Sequence, residues 1–197
     1  MKNKSLLYTF AIIWLAAIGA GTLYLVRYAN TSGKSAFPPT KWPSESRVIR
    51  NPPAATLILF GHPNCPCSTA SVGELNEIMA KISRRIQVHV AFVVPKGADA
   101  SWRQTSLWED AQLIPGVRTV LDEDGVEAKR FNAKTSGQVV LYDENGELVF
   151  TGGITGSRGH FGDNVGKTAV VSFGNGKKLS VNTTPVFGCS LFDDGDG

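Results

Sequence analysis

The chain has 197 residues, of which 42% are hydrophobic and 19% are charged. This composition indicates one globular domain with an additional segment and excludes a mainly disordered chain. The formal net charge is only +3, and no run of Lys and Arg is longer than two residues, which argues against a nucleic-acid-binding protein.

Residues 1–28 are predicted to form a transmembrane anchor. Residues 6–26 carry no charge, and as a helix they would span about 30 Å, the thickness of a bilayer core. A cleaved signal peptide is the alternative, but its apolar core is usually shorter. Lys2 and Lys4 precede the run, so we expect a cytoplasmic N-terminus. The remaining chain would then lie on the periplasmic side of a bacterial inner membrane, in an oxidising compartment.

Residues 29–53 are predicted to be an extended tether, because they are rich in Ser, Pro and Lys. We expect the folded domain to occupy residues 54–197. Short apolar runs alternate there with helical patterns, which predicts an α/β fold. The predicted elements, in order, are a strand at 55–60, a helix from Ser68 or Thr69, a strand at 86–94, a Trp-rich helix, a strand at 118–122, a short helix, a hairpin around Asn145 and Gly146, a helix capped by Asp163, and a last strand at 177–187.

This order resembles the thioredoxin fold, a central mixed sheet flanked by helices, here with an extra C-terminal strand. The resemblance covers residues 54 to about 173. The segment VLDEDGVEAKRFNAKTSGQVVLYDENGELVFTGG is similar to the second half of membrane-tethered, TlpA-type thioredoxin-like proteins and of peroxiredoxins. More narrowly, HPNCPCS, GGITGSRGH and PVFGC resemble a bacterial group labelled RedB. The resemblance implies a redox activity based on thiols.

The sequence departs from the thioredoxin pattern at two places. Thioredoxins have two residues between their active-site cysteines, whereas only Pro66 separates Cys65 from Cys67. The family also has a cis-proline opposite the cysteines, where this chain has Gly137 preceded by Ser136. The resemblance therefore implies the fold more firmly than it implies the usual thioredoxin mechanism.

Cys65 and Cys67 are the candidate reactive thiols, because they lie where a strand ends and a helix begins. Unpaired N–H groups and the helix dipole stabilise a thiolate at such a position. A Cys65–Cys67 disulfide would be strained, since the two Cβ vectors diverge and Pro66 stiffens the link. The last predicted strand should run back toward the same end of the sheet. We therefore expect Cys189 close to both cysteines. Cys65 should be the most reactive of the three, and either Cys67 or Cys189 could be the resolving thiol.

Three further side chains are candidates for the site. The glycine-rich loop that holds Arg158 and His160 should lie beside the cysteines. Arg158 could lower a thiolate pKa, and His160 could transfer protons near neutral pH. His62 precedes Cys65 by three residues and could modulate its pKa or bind a metal ion.

Three functions fit these residues. The first, which we favour, is a membrane-tethered thiol oxidoreductase without a cofactor, acting on protein thiols and disulfides or on a peroxide. The peroxide variant lacks one family feature, because His62 stands where peroxiredoxins have a threonine. The second is a copper(I)-binding module or metallochaperone for oxidase assembly, with Cys65, Cys67 and either His62 or Cys189 as ligands. The third is a redox-silent membrane-bound scaffold.

The anchor predicts that the full-length protein stays in the membrane fraction after extraction with carbonate. Removal of residues 1–28 should release it into the soluble fraction, because no other uncharged run is long enough to span a bilayer. Cell fractionation and N-terminal mass analysis check this. A soluble product that has been cut after Ala20 or nearby would indicate a signal peptide instead.

Overall fold

The computed structural model describes residues 2–34 and 37–192, apart from the side chains of residues 2 and 3. The first element is a helix, α1 (Lys2–Asn30). Its residues 4–30 are long and apolar enough to cross a membrane, and none of the apolar window is buried inside the protein. A helix of this kind is characteristic of a membrane anchor or of a signal sequence.

Five strands form one mixed sheet in the order β3-β2-β1-β4-β5. β1 pairs parallel with β2, and β2 pairs parallel with β3. β4 is antiparallel to both β1 and β5, so β1 and β5 point toward the same end of the sheet. The strands are β1 (Ala55–Gly61), β2 (Ile86–Val94), β3 (Val117–Glu123), β4 (Gln138–Tyr142) and β5 (Leu148–Gly153).

The sheet has a hydrophobic core on each face, because successive side chains of a strand point to opposite sides. On β1, Leu57 and Leu59 pack into one core, and Ile58 and Phe60 pack into the other. The first core includes buried residues of the helices α2 (Pro66–Lys81), α3 (Ser106–Leu113) and α5 (Val165–Gly174), and the second includes Ala128 of the short helix α4 (Val126–Arg130). The arrangement is thioredoxin-like, as the sequence predicts.

The helix boundaries differ slightly from the prediction. α2 begins at Pro66, two residues before Ser68, with Cys65 as its N-cap. Pro66 is favoured there because the first N–H of a helix needs no partner within the helix. The residue that caps α5 is Asn164, whose side chain accepts a hydrogen bond from the Lys167 N–H; the prediction of Asp163 was wrong by one position.

The predicted C-terminal strand is instead an extended segment without regular strand pairing. Residues 182–185 run parallel to β5, with an isolated bridge between Thr151 and Thr183 and a hydrogen bond from the Gly153 N–H to the Pro185 carbonyl. A Cβ atom on Gly152 would lie only 2.4 Å from the Thr184 carbonyl oxygen. The segment thus packs closely over the glycines of β5, and Pro185 has no N–H for continuing a ladder.

The segment predicted as a tether packs against the domain. The Trp42 ring meets the rings of Phe131 and Tyr142 edge-on, with centroids 5.0 and 5.2 Å apart. The Tyr142 hydroxyl donates a hydrogen bond of 2.8 Å to the Pro39 carbonyl, and Val48 is buried in the second core. The folded part of the chain therefore extends N-terminal to Ala54, the boundary that composition alone indicates.

This packing predicts that Trp42→Ala lowers the free energy of unfolding by about 2 to 3 kcal/mol, because it removes a large, partly buried ring from two aromatic contacts. Phe37→Ala is the matched control, since Phe37 is 81% exposed and should change stability little. Urea unfolding of both variants measures the difference. Equal stability of the two variants would mean that residues 39–48 behave as a tether after all.

Candidate active site

The site begins where β1 ends and α2 starts. The Cys65 N–H donates to the His62 carbonyl at 3.0 Å, and the Ser68 N–H donates to the Cys65 carbonyl at 3.0 Å. This turn holds Cys65 in an extended conformation at the N-cap, and Cys67 lies in the first turn of α2. Both thiols therefore lie at the positive end of a 16-residue helix, which stabilises a thiolate.

The structure brings the three cysteines together. The Sγ atoms of Cys65 and Cys189 are 3.4 Å apart, and all three sulfur atoms lie within 4.8 Å of one another. Cys65 is buried, whereas Cys67 and Cys189 are partly exposed, and all three are free thiols. Cys189 reaches the site because residues 182–185 follow β5 to the end of the sheet where β1 also ends. This convergence is the one that the topology predicts.

The surroundings shift the pKa values of the three thiols in different directions. Burial alone would raise the pKa of Cys65, but hydrogen bonds from Cys189, from the backbone of Ser68 and Cys67, and from the Ser68 side chain outweigh it and lower the pKa. Burial, followed by the Cys65 charge, raises the pKa of Cys67. Burial, followed by the hydrogen bond to Cys65, raises the pKa of Cys189 to about 12. Cys65 therefore ionises most readily of the three, and a hydrogen bond from the Cys189 thiol stabilises its thiolate.

Two buried serines complete the site. The hydroxyl oxygens of Ser68 and Ser136 are 2.6 Å apart, and the Ser136 oxygen accepts a hydrogen bond from the His62 N–H. The Ser136 proton is then free to point to Ser68, and the Ser68 proton is free to point to the Cys65 sulfur, a bond that lowers the Cys65 pKa. Neither serine is among the site residues that were predicted from the sequence.

Ser136 lies beside the cysteines, immediately before the position at which the thioredoxin pattern has its cis-proline and this chain has Gly137. The next residue, Gly137, has a φ of +92°, and a Cβ atom there would lie 2.8 Å from the Ser71 hydroxyl. The Ser136 N–H also donates to the Cys189 carbonyl at 2.8 Å. The Ser-Gly pair therefore holds the Cys189 segment against the first turn of α2. Its place at the cis-proline position of the thioredoxin pattern was the sequence signal that could have identified Ser136 as a site residue.

Arg158 lies beside the cysteines, as predicted, and joins three parts of the chain. Its guanidinium donates to the Gly188 carbonyl next to Cys189, and its charge works against the raised pKa of Cys67. The same guanidinium lies 4.9 Å from the centre of the Tyr28 ring, and the Arg158 N–H donates to the Ala29 carbonyl at 2.9 Å. The C-terminal end of α1 therefore lies next to the site.

The two histidines take different positions. His62 is half-buried, accepts a hydrogen bond from the Asn64 N–H at Nδ1 and meets the Trp102 ring edge-on. Burial lowers its pKa, so the ring is neutral near pH 7. His160 is exposed, and its ring forms no hydrogen bond or ion pair with the residues that the structure describes. The glycine-rich loop reaches the site through Arg158 and not through His160.

The buried carboxylate of Glu74 in α2 pairs with Lys167 of α5 and also holds this loop. Lys167 Nζ lies 2.6 Å from a carboxylate oxygen of Glu74, and both side chains are almost completely buried. The other Glu74 oxygen accepts a hydrogen bond from the Gly162 N–H at 2.5 Å, close to Arg158 in the same loop. Because a charge left alone in the interior is strongly unfavourable, the pair with Lys167 keeps the Glu74 carboxylate in place as the acceptor of the Gly162 N–H.

Comparisons with known proteins support the fold. No protein-family model matches the sequence, and no curated protein does either. An uncharacterized conserved protein from Geobacillus kaustophilus is 19% identical, with a TM-score of 0.54, covering 85% of this chain and 95% of that one. A hypothetical protein from Sinorhizobium meliloti 1021 is 17% identical, with a TM-score of 0.52, covering 83% and 92%. At these identities the likeness shows a shared fold.

More distant similarity extends to thioredoxin-like superfamily proteins. A secreted Mycobacterium tuberculosis disulfide oxidoreductase, homologous to E. coli DsbE, is 23% identical over 48% of this chain and 66% of that chain, with a TM-score of 0.37.

The hydrogen bond between Cys189 and Cys65 gives a test based on pH. Cys189→Ala removes a donor, so the pKa of Cys65 should rise and its alkylation rate at pH 6 should fall about tenfold, the effect of one hydrogen bond to a charged group. Cys189→Ser keeps an O–H donor and should largely preserve the wild-type rate. Rates of Cys65 modification against pH, read by mass spectrometry, measure both. Identical profiles for the two variants would contradict this role of Cys189.

Proposed function

We propose that the protein is a membrane-anchored thiol-disulfide oxidoreductase in which Cys65 is the nucleophile and Cys189 is the resolving thiol. The observation that carries the proposal is the 3.4 Å contact between their sulfur atoms, at a helix N-terminus where, of the three thiols, only Cys65 has a lowered pKa. A disulfide needs the sulfurs about 2.0 Å apart, so a small rotation of the two side chains is enough.

In the first step the Cys65 thiolate attacks one sulfur of a substrate disulfide. A bond forms between Cys65 and that sulfur, the substrate disulfide breaks, and the second substrate sulfur leaves as a thiolate that takes a proton from water. The mixed disulfide no longer carries the negative charge of Cys65. The hydrogen bond and charge that contribute to the raised pKa of Cys189 are then lost, so Cys189 becomes easier to deprotonate.

In the second step the Cys189 thiolate attacks the Cys65 sulfur and releases the remaining substrate thiolate. The substrate has then gained two electrons and two protons, and the protein holds a Cys65–Cys189 disulfide. A dithiol reductant would return the protein to its starting form, and the same steps in reverse would oxidise a substrate dithiol. A peroxide as the first oxidant is a variant of this proposal, in which Cys65 would pass through a sulfenic acid.

The position of α1 supports substrates that meet the protein at a membrane. Tyr28 and Ala29 contact Arg158, and the Gly33 N–H donates to the Val186 carbonyl at 2.8 Å. With α1 in a bilayer, the cysteines would therefore lie near the membrane surface. A periplasmic domain on a bacterial inner membrane, where disulfides persist, completes this part of the proposal.

Copper(I) binding is the second candidate, favoured by the same sulfur cluster. Three sulfur atoms within 4.8 Å of one another match the preference of soft Cu(I) for thiolate ligands. His62 is a less suitable fourth ligand, because Nδ1 already accepts a hydrogen bond from Asn64. In this alternative the cysteines would hold cargo for an oxidase and would not exchange disulfides. A redox-silent scaffold would do neither.

Single-turnover reaction of the reduced protein with an aromatic disulfide separates these functions. The wild type should release two aromatic thiolates per protein, one from each step. Cys189→Ser should release one and remain as a mixed disulfide on Cys65, whereas Cys67→Ser should still release two. If Cys67→Ser loses the second thiolate and Cys189→Ser does not, the assignment of the resolving thiol is wrong.

Copper(I) binding would be favoured if Cys65 reacts slowly and the protein binds one Cu(I) tightly. Cys189→Ser should then lose that Cu(I). A protein that neither reacts nor binds Cu(I) would be the scaffold.

A further inference from the structure

A cavity of about 850 Å³ lies at the opposite end of the sheet from the cysteines. Its walls come from the chain before β1, the end of α2, and the first residues of β2 and β3. The cysteines follow the carboxyl end of β1, whereas these residues lie at the amino ends of the parallel strands. The cavity is therefore separate from the redox site, and no step of the proposed reaction uses it.

Every ionisable side chain that lines this cavity is a base. The arginines are Arg84, Arg85 and Arg118, the histidine is His89, and no carboxylate lines the cavity. None of the three arginines forms an ion pair with any residue in the described parts of the chain. Guanidinium groups stay charged at all relevant pH values, so the cavity gathers three positive charges that the protein itself does not neutralise.

His89 adds a buried polar group to the same wall. Only 3% of its surface is exposed, and neither ring nitrogen makes a hydrogen bond of good geometry. Burial lowers its pKa, as does the charge of Arg118, its partner in the β2–β3 pairing, while a backbone contact with Ile49 acts in the opposite direction. Apart from this contact with Ile49, the buried ring has no polar partner in the described parts of the chain, which is unusual, and an anion in the cavity would accept a hydrogen bond from it.

The neighbouring parts of the wall are apolar or already bonded. Met79, Ile82 and Val117 contribute apolar surface. The Gln87 carboxamide oxygen also lines the cavity, but it accepts the Asn51 N–H at 2.7 Å. The charged groups of the wall that have no partner are thus all donors, next to a surface that favours an apolar group. Arg84 is packed over Gly176, where a Cβ atom would lie 2.6 Å from the guanidinium.

We propose that this cavity binds a small organic anion, in which a phosphate or carboxylate group contacts the arginines and His89 and an apolar body packs on Met79, Ile82 and Val117. Planar guanidinium groups suit both oxyanions, because they donate two parallel hydrogen bonds. The site is independent of the proposed redox function and lies on the side of the domain away from the cysteines.

The test uses the full chain in nanodiscs of neutral lipid, titrated with phenyl phosphate, benzoate, inorganic phosphate and benzyl alcohol. The two aromatic anions should bind more tightly than inorganic phosphate, and benzyl alcohol should not bind measurably, because both the charge and the apolar body contribute. The His89 ring resonances should shift on binding in NMR spectra. Whichever of phenyl phosphate and benzoate binds more tightly shows whether the site prefers a phosphate or a carboxylate group.

Arg118→Gln should weaken binding of the preferred anion about tenfold or more, the effect of one lost charge-assisted hydrogen bond. Arg103→Gln is the matched control, because Arg103 is exposed and does not line the cavity. Both substitutions are at exposed positions, so the fold should persist, as thermal unfolding can verify. Equal affinity in the two variants, no shift of His89, or no saturable binding of either aromatic anion would overturn the proposal.

Discussion

Cys65 and Cys189 are 124 positions apart in the sequence, yet their sulfur atoms are in contact. The contact depends on direction in the sheet, since β1 and β5 point to the same end and the segment after α5 follows β5 to that end. The glycines of β5 let this segment approach closely, and the backbone of Ser136 holds Cys189 in place. On the loop-entropy model, a disulfide that closes so long a loop would stabilise the folded domain by about 5 kcal/mol.

The chemistry of the site follows from an asymmetry between similar groups. All three thiols are removed from water to some extent, and burial raises the pKa of each. Only Cys65 receives enough hydrogen bonds to reverse that effect, because it is the N-cap of α2 and faces both Ser68 and Cys189. The loop with Arg158 contacts the Cys189 segment on one side and the end of α1 on the other. Glu74, which is buried and paired with Lys167, holds that loop through the Gly162 N–H, so the same contacts connect the loop, the Cys189 segment and the end of α1.

Much of this could be predicted from the sequence, because the signals were local. The apolar run of β1, the turn at Gly146 and the cysteines before α2 need no tertiary information, and the direction of each crossing placed Cys189. The features that were not predicted depend on contacts between residues that are distant in the sequence. Trp42 and Pro39 lie in a segment whose composition is that of a tether, but they cover Phe131 and Tyr142. The Ser68–Ser136 bond joins residues that are far apart in the sequence, and the Ser-Gly pair at 136–137 was its sequence signal. The close approach of the last segment to the glycines of β5 is likewise a contact between distant residues.

The most direct measurement is a disulfide map of the full-length protein at equilibrium in a series of glutathione redox buffers, with the free thiols alkylated before digestion. We expect one two-electron transition in which Cys65 becomes linked to Cys189, while Cys67 stays alkylated throughout. Cys67→Ser should leave this transition unchanged. A map in which Cys65 is joined to Cys67, or in which Cys189 stays alkylated under oxidising conditions, would show that Cys189 is not the resolving thiol.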